Sequence, residues 1–208
     1  MSHTEKIVEQ AMQIFIKQGI KAVRMDDIAR QMGISKRTLY ELFTDKETLL
    51  YMAVERYFER CDERRTAMCA DARNVLEAIF IGLSDVMAQS ETADRIMGNL
   101  RRFYPAVYGR MLREGAEKTR RGIREKLEQG VADGFFVPDF NLDLAITMLY
   151  HTASALVAHR DLLLPEDMSD RKAFIQVMTT FFRGIATAKG LELIDRYKDR
   201  LESAEELP

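Results

Sequence analysis

Apolar residues recur at intervals of three and four along most of the chain, which is the period of an amphipathic helix. Runs in which apolar and polar residues alternate, as they do in a half-buried strand, are almost absent. Prolines stand at positions 105, 138, 165 and 208, and the first three divide the pattern into helical stretches. The pattern therefore predicts an all-α protein.

Short helices are expected at the start of the chain. The first covers about residues 4–18, and the second covers about residues 25–32. Gly33 then interrupts the apolar pattern, and Ser35 has the side chain to cap a third helix whose apolar stripe contains Leu39. Two short helices around a glycine turn form a helix-turn-helix, so this motif is predicted near the N-terminus.

Longer helices are expected from residue 45 onward. Thr44 and Glu47 have the spacing of a capping box, which predicts that a fourth helix begins near Asp45 and runs towards Ala67. Further helices are predicted over about residues 71–88, 91–103, 105–131, 142–163 and 169–189, with a connector over residues 133–139. We therefore expect two domains: a helix-turn-helix domain of three helices over residues 1–50 and a larger helical domain over residues 51–208.

The overall charge of the chain does not by itself indicate a nucleic-acid-binding protein. The 31 Lys and Arg residues nearly balance the 33 Asp and Glu residues, for a formal net charge of -2. Residues 1–46 hold eight Lys and Arg against six Asp and Glu, so a site for a polyanion would be local and near the N-terminus.

Cys61 and Cys69 are about 12 Å apart along a helix, too far for a disulfide, which favours reduced cytosolic thiols. No signal segment or run of about 20 apolar residues is present, so a soluble, cytoplasmic protein without membrane contact is expected.

The most informative stretch is residues 25–50, which read MDDIARQMGISKRTLYELFTDKETLL. A support helix, a tight turn and a second helix with a polar, partly basic face can place that second helix in a DNA major groove, which is about 12 Å wide. The ordered set DIA, GISKRTLYELF and KETLL, followed by further helices, resembles the DNA-binding domain of the TetR family of bacterial transcriptional regulators. The resemblance covers about the first 50 residues, and beyond them only the helix pattern is similar.

The resemblance implies contacts to double-stranded DNA by a small set of side chains. At the positions where this family contacts DNA, Ser35, Tyr40 and Lys46 suit phosphate oxygens, and Lys36, Arg37 and Thr38 suit base edges. Arg37 is the strongest base reader, because a guanidinium can contact guanine with two N–H groups. Arg24 is expected to replace, by its charge, a hydroxyl contact that relatives make at the start of the second helix. Glu41 is expected either to accept a hydrogen bond from cytosine or to point away from the duplex.

The body of the chain holds many methionine and aromatic residues. At helical spacing such residues are usually core, but together they would also allow an apolar, adaptable cavity. The resemblance implies that an unidentified small-molecule effector, expected to be largely apolar, binds among the middle helices. The candidate effector contacts are Phe80, Met87, Phe103, Tyr104, Tyr108, Met111, Met148 and His151.

The last two predicted helices are the candidate dimer interface. In the final helix the apolar residues spread over more than one face, so this helix needs more than one partner to bury them. The resemblance implies that two helices from each subunit form a four-helix bundle. The candidate interface residues are Leu156, Phe174, Val177, Met178, Phe181 and Ile185. The implied function is that of a homodimeric repressor that releases a near-palindromic operator when its effector binds.

Proteins of other classes stay open as alternatives. An enzyme or carrier could use the apolar cavity, although we find no Ser/His/Asp arrangement, no glycine-rich phosphate loop and no pattern that implies a cofactor, and we expect no catalytic residues. A helical ligand-binding or adaptor protein could use the helix-turn-helix for protein contacts. His151 and His159 lie two turns apart on one predicted helix, but no Cys or carboxylate stands at ligand spacing, so no metal site is expected.

Overall fold

The computed structural model describes residues 2–157 and 168–203, with side chains described up to residue 199. Within these ranges the chain forms nine α-helices, and its only β-structure is one isolated bridge. The helices are α1 (His3–Gln18), α2 (Met25–Met32), α3 (Lys36–Leu42), α4 (Lys46–Met68), α5 (Val75–Phe103), α6 (Pro105–Ala132), α7 (Leu142–Val157), α8 (Asp170–Gly184) and α9 (Ala188–Ser203). The predicted fold class, an N-terminal helix-turn-helix followed by a larger helical part, is confirmed.

The first three helices lie where the sequence predicts, and local signals explain their ends. The hydroxyl of Ser2 accepts a hydrogen bond from the N–H of Glu5 at 3.1 Å, and the Glu5 carboxylate accepts one from the N–H of Ser2 at 2.6 Å. Gly19 follows α1 and Gly33 follows α2, with φ angles of 87° and 66°. A side chain would be strained at these angles, so glycine ends both helices.

The start of α4 differs from the prediction by one residue. Asp45, rather than Thr44, caps the helix, because its Oδ1 accepts the N–H of Thr48 at 2.7 Å. The same hydrogen bond lowers the pKa of the Asp45 carboxyl below its usual value. The long fourth helix itself is confirmed.

The break predicted between residues 88 and 91 is wrong, because α5 is a single helix. The Ser90 hydroxyl donates to the carbonyl oxygen of Met87 at 2.8 Å, so the polar side chain is satisfied within the helix. This stretch holds no glycine or proline, and nothing interrupts its backbone hydrogen bonds. The proline predicted to open the next helix does so at Pro105.

The last predicted helix, over residues 169–189, is two helices. α8 ends at Gly184, and α9 begins only at Ala188. Between them Ala186 forms an antiparallel bridge with Phe136, which lies in the predicted connector. The connector therefore takes up backbone groups that a continuous helix would use. Residues 158–163, the end of the helix predicted to begin at residue 142, lie outside the described residues.

The helices pack into two compact units. The first unit contains Met1–Arg64 and Thr92–Glu114, and the second contains Arg65–Glu91 and Gly115–Pro208. The core of the first unit includes Ile7, Phe15, Leu39, Phe43, Leu50 and Leu100, and that of the second includes Leu76, Phe80, Leu127, Phe136, Phe174 and Ile194. The first unit thus holds the predicted domain of residues 1–50 and adds parts of α4, α5 and α6. No described helix is both long enough and apolar enough to cross a membrane.

Candidate nucleic-acid interface

The turn between α2 and α3 is built by one glycine and one helix cap. Gly33 adopts a left-handed conformation, and the N–H of Ile34 donates to the carbonyl oxygen of Ala29 at 3.0 Å. The Ser35 hydroxyl then accepts the N–H of Thr38 at 3.0 Å, which starts α3. Leu39 is completely buried and fixes the inner face of this short helix. The opposite face is therefore held toward solvent.

The outer face of α3 is polar and exposed. The side chain of Arg37 is 89% exposed, that of Lys36 is 65% exposed, and Tyr40 is half exposed. Lys36 forms an ion pair with Asp26 of α2, and Arg37 Nε donates to Glu41 Oε1 at 2.7 Å. Ion pairs this exposed contribute little to stability. The two cations can therefore exchange their carboxylate partners for phosphate or base acceptors at small cost.

Three further predicted DNA contacts surround this face. The hydroxyl oxygens of Ser35 and Thr38 lie 2.7 Å apart and share a hydrogen bond. Arg24 directly precedes α2 and is exposed, and it forms no ion pair with any residue that the structure describes. Of the seven predicted DNA contacts, six therefore lie around the helix-turn-helix surface.

The seventh predicted contact, Lys46, is placed differently. Its ammonium donates to the carbonyl oxygen of Ile20 at 2.6 Å and lies 5.3 Å from the centroid of the Tyr104 ring. The residue is half-buried. Lys46 therefore joins the first turn of α4 to the loop after α1 and to the junction of α5 and α6. Sequence reasoning missed this positioning role, because the partners are distant along the chain.

Polar contacts hold the rest of α4 within the first unit. The Tyr51 hydroxyl lies 2.6 Å from a carboxylate oxygen of Glu114 and 2.5 Å from one of Glu55. Burial and these carboxylates raise the pKa of Tyr51 well above its usual value. Arg56 donates to Glu9 of α1 at 3.3 Å. Through these contacts α4 is tied to both α1 and α6.

The predicted effector residues are divided among three places. Phe80 and Met87 line a cavity between α5 and α8 in the second unit. Phe103, Tyr104, Tyr108 and Met111 belong instead to the first unit, where Met111 is part of the core and the two tyrosines pack against it. Met148 and His151 are exposed on α7. Of the eight residues, only Phe80 and Met87 line this cavity.

The cavity in the second unit is narrow and partly open to solvent, with room for about one water molecule. It is lined by Phe80, Leu83, Ser84, Met87, Arg171, Phe174, Ile175 and Met178. Its lining is largely apolar, and the cavity is smaller than a small-molecule site as it stands. Sequence reasoning assigned Phe174 and Met178 to the dimer interface, but they are four residues apart on the face of α8 that meets α5. The four-residue spacing of Phe174 and Met178 is the sequence signal that places them on one face of α8.

The predicted dimer residues are divided between interior and surface. Leu156, Phe174 and Met178 are each at most 6% exposed within the core of the second unit, so they offer no free surface to a partner chain. Val177 is 38% exposed, and Phe181 and Ile185 are partly exposed. Val177 and Phe181 lie four residues apart and share one face of α8.

Helix α7 carries an apolar outer face formed by Met148, which the sequence analysis named as an effector contact, and Leu144, which it did not name. Asp143 and Thr147 accept hydrogen bonds from arginines of α6, and Ile146 is buried in the core. Leu144 and Met148 lie on the remaining side and are 56% and 50% exposed. Large apolar side chains one helical turn apart and open to solvent are a feature of interaction surfaces.

The histidine pair that the sequence raised as a metal site is only partly described. His151 is exposed, with its ring centroid 5.2 Å from that of Tyr150, and His159 lies outside the described residues. Among the side chains that the structure describes, no three of His, Cys, Asp and Glu come together in a way that could hold a metal ion.

A helix-turn-helix whose second helix is short, polar and held outward defines a DNA-binding protein, here followed by a helical body. Residues 7–51 match the family described as bacterial regulatory proteins, tetR family. These residues therefore carry the DNA-binding domain of the TetR family of transcriptional regulators. The resemblance noted from the sequence is thereby confirmed.

The chain is also similar to whole regulators. It is 24% identical over 162 residues to the HTH-type transcriptional repressor KstR2 of Mycobacterium tuberculosis, which spans 73% of this chain and 78% of that protein. A TetR-family transcriptional regulator from Marinobacter aquaeolei covers 97% of this chain and 99% of its own, with 17% identity and a TM-score of 0.68. The fatty acid degradation regulator FadR from Bacillus halodurans covers 100% of this chain and 98% of its own, with 16% identity and a TM-score of 0.62. The shared fold therefore extends through the helical body.

Proposed function

We propose that the chain is a one-component repressor that binds a near-palindromic operator as a homodimer and is released by a small, largely apolar effector. The observation that carries the proposal is the outer face of α3, where Lys36 and Arg37 stand in solvent while Leu39 anchors the helix from below. A helix of this shape and charge suits a major groove. No enzymatic activity is needed for this function.

The ion pairs of Lys36 and Arg37 belong to the protein without DNA and would be exchanged on binding. Glu41 holds Arg37 in the free protein at 2.7 Å. On the operator, Arg37 turns to a guanine and Glu41 is left beside the duplex, where its charge disfavours sequences that offer no bidentate partner. Lys36, Thr38 and Tyr40 supply neighbouring base and phosphate contacts. Lys46 acts by holding α4 in place.

A second copy of the chain is needed to engage both half-sites. Recognition helices of a dimer must stand roughly 34 Å apart to enter successive major grooves on one side of B-DNA. α7 packs against α8, and each exposes apolar side chains: Leu144 and Met148 on one helix, Val177 and Phe181 on the other. Four such helices, two from each subunit, would bury these side chains in a symmetric bundle.

The cavity between α5 and α8 is the proposed effector site. Its lining suits a largely apolar molecule, with Ser84 and Arg171 as its polar members. The flexible side chains of Met87 and Met178 would move to admit such a molecule. The names of two proteins with the same fold refer to largely apolar molecules. KstR2 is called a ketosteroid transcriptional regulator, and FadR is called a fatty acid degradation regulator. These names support an apolar effector for this chain without specifying it.

Release of the operator is proposed to pass through α4. This helix begins beside α3 and is tied at Lys46, Tyr51 and Arg56 to the rest of the first unit. A displacement of α4 would therefore carry α3 with it. An effector that binds better to the conformer with widely separated recognition helices would shift the population away from the DNA-bound form.

Selection of duplexes from a random-sequence pool tests the proposed DNA binding. We expect enrichment of a near-palindrome and a gel-shift complex that weakens steeply as salt is raised. The proposal is contradicted if no sequence is enriched and no salt-sensitive complex forms at about micromolar dimer, since specific affinities are typically 10⁻⁸ M or tighter.

Filling the cavity tests the proposed effector site. Leu83→Trp places a large ring in the cavity, so we expect binding of the uncharged fluorophore N-phenyl-1-naphthylamine to weaken by about tenfold or more, which corresponds to about 1.4 kcal/mol. Leu112→Trp, at an exposed position of α6, is the matched control and should bind the fluorophore as the parent protein does. Equal binding by all three proteins would place the apolar site elsewhere.

A further inference from the structure

Two stretches of the first unit carry positive charge and no negative charge. Residues 17–24 contain Lys17, Lys21 and Arg24, residues 95–110 contain Arg95, Arg101, Arg102 and Arg110, and neither stretch contains Asp or Glu. The chain as a whole has a net charge of -2, so this accumulation is local. Only the first stretch belongs to the helix-turn-helix region.

The fold brings the two stretches together at one aromatic ring. Lys21 Nζ lies 4.7 Å from the centroid of the Phe103 ring, and Arg102 Cζ lies 5.1 Å from it. Arg101 is the neighbouring exposed cation on the last turn of α5. We call Lys21, Arg101 and Arg102 the basic corner. Contact with the ring face partly offsets the repulsion between its two nearest cations.

The charges of the basic corner are not neutralised by carboxylates. Lys21, Arg101 and Arg102 are exposed, and within the described part of the chain none of them forms an ion pair. Arg110, in the same stretch, behaves differently, because its Nε lies 3.0 Å from a carboxylate oxygen of Glu114. Three unneutralised cations around one ring make a surface that attracts polyanions.

The basic corner is continuous with the start of α4. Lys46 donates to the carbonyl oxygen of Ile20, the residue before Lys21, and its ammonium also lies over Tyr104, the residue after Phe103. The first turn of α4 directly follows the helix-turn-helix. A duplex that lies along α3 and this turn therefore has the basic corner beside it.

We propose that the basic corner is a second DNA-contacting surface, which binds the sugar–phosphate backbone next to the bases read by α3. The inference rests on the proposed operator binding. Its chemistry is sequence-independent, because three flexible cations outside any groove-reading helix can bind phosphates but cannot distinguish base pairs. The basic corner would therefore contribute affinity and salt dependence rather than specificity.

The test compares the variant K21Q/R101Q/R102Q with a control that loses the same charge elsewhere. Glutamine removes the charge while keeping a flexible polar side chain. The control K189Q/R121Q/R196Q removes three exposed cations of the second unit, and it is matched because Lys189 Nζ lies 4.4 Å from the centroid of the Phe135 ring. Affinity for a selected operator is measured over a range of salt concentrations by fluorescence anisotropy, with thermal unfolding as a check on folding.

For the basic-corner variant we expect binding at least about tenfold weaker at 0.15 M salt. The slope of log affinity against log salt concentration should also become shallower, by about 0.9 for each phosphate that the protein no longer neutralises. The control should keep the parent slope, and the base preferences of all three proteins should agree. Hydroxyl-radical protection should disappear from backbone positions outside the base contacts.

Equal slopes and equal protection for the variant and the control would overturn the inference while leaving operator binding intact. If the parent protein itself forms no specific complex, the proposed function fails instead. R101Q alone provides the same test without touching the Phe103 contact, and it should still lower the slope by nearly two in a dimer, or the inference is wrong.

Discussion

Lys46 shows how a residue beside a DNA surface can act through the fold. Its ammonium donates to a backbone carbonyl of Ile20 and lies over the Tyr104 ring, so it links three segments of the first unit. A half-buried carbonyl that loses its donor is costly. The residue is therefore important for the position of α4.

Lys46→Met should lower the free energy of unfolding by about 1–3 kcal/mol, because it removes the charged donor and leaves the Ile20 carbonyl unsatisfied. Lys36→Met is the matched control, since that side chain is 65% exposed and its ion pair is on the surface. It should change stability by no more than about 0.5 kcal/mol. Urea unfolding at one protein concentration measures both, and equal stabilities for the two variants would contradict the positioning role.

The sequence identifies the residues of α3 well and their partners poorly. The cap at Ser35, the buried Leu39 and the outward cations follow from short-range spacing, and the structure places them as expected. The pairing of Arg37 with Glu41 is also visible in the sequence, since the two are one helical turn apart. The partners of Lys46 are not, because Ile20 and Tyr104 come together with it only in the folded unit.

Gly130 of α6 and Gly190 of α9 let the connector of residues 133–139 pack closely against both helices. A Cβ added to Gly190 would lie 2.2 Å from the carbonyl oxygen of Phe135, and one added to Gly130 would lie 2.3 Å from the Phe136 ring. Both glycines therefore allow the connector to lie directly against a helix. A backbone oxygen cannot move away as readily as the end of a side chain.

Gly190→Ala should destabilise the protein by about 1–3 kcal/mol, as overpacking does in tight interiors. Gly122→Ala, on α6 with no atom within 4 Å of the new Cβ, should instead stabilise it by about 0.5–1 kcal/mol, because alanine is the better helix former. Urea denaturation of both variants measures the difference. A Gly190→Ala protein as stable as its parent would show that the connector does not need this approach.

The ends of helices could be predicted from the sequence where a glycine, a proline or a capping residue marks them. Other helix ends were predicted wrongly. The start of α6 at Pro105 and the end of α2 at Gly33 are marked in this way. The predicted break in α5 had only polar residues to support it, and Ser90 is satisfied within the helix. The division of α8 from α9 depends on a bridge to Phe136, which is 50 residues away along the chain from Ala186. No local pattern reports such a contact.

At the scale of the whole molecule, the proposed dimer depends on apolar side chains that are exposed to solvent in the single subunit. Leu144→Glu combined with Met148→Glu should weaken self-association by about 30-fold or more, because charges would be buried in the bundle. Leu112→Glu is the control, since Leu112 is 40% exposed but lies in the first unit. Sedimentation velocity distinguishes monomer from dimer. A double variant that remains fully dimeric would move the interface away from α7.

The central claim is that α3 reads base pairs through Arg37. The most direct measurement is the affinity of the parent protein and of Arg37→Ala for a selected operator and for each of its single-base-pair variants, with Arg121→Ala as the control. The parent and the control should lose about 1–3 kcal/mol at the base pair that Arg37 contacts, and Arg37→Ala should lose almost nothing there while discriminating normally elsewhere. An Arg37→Ala protein that retains the full discrimination of its parent at every base pair would contradict the claim.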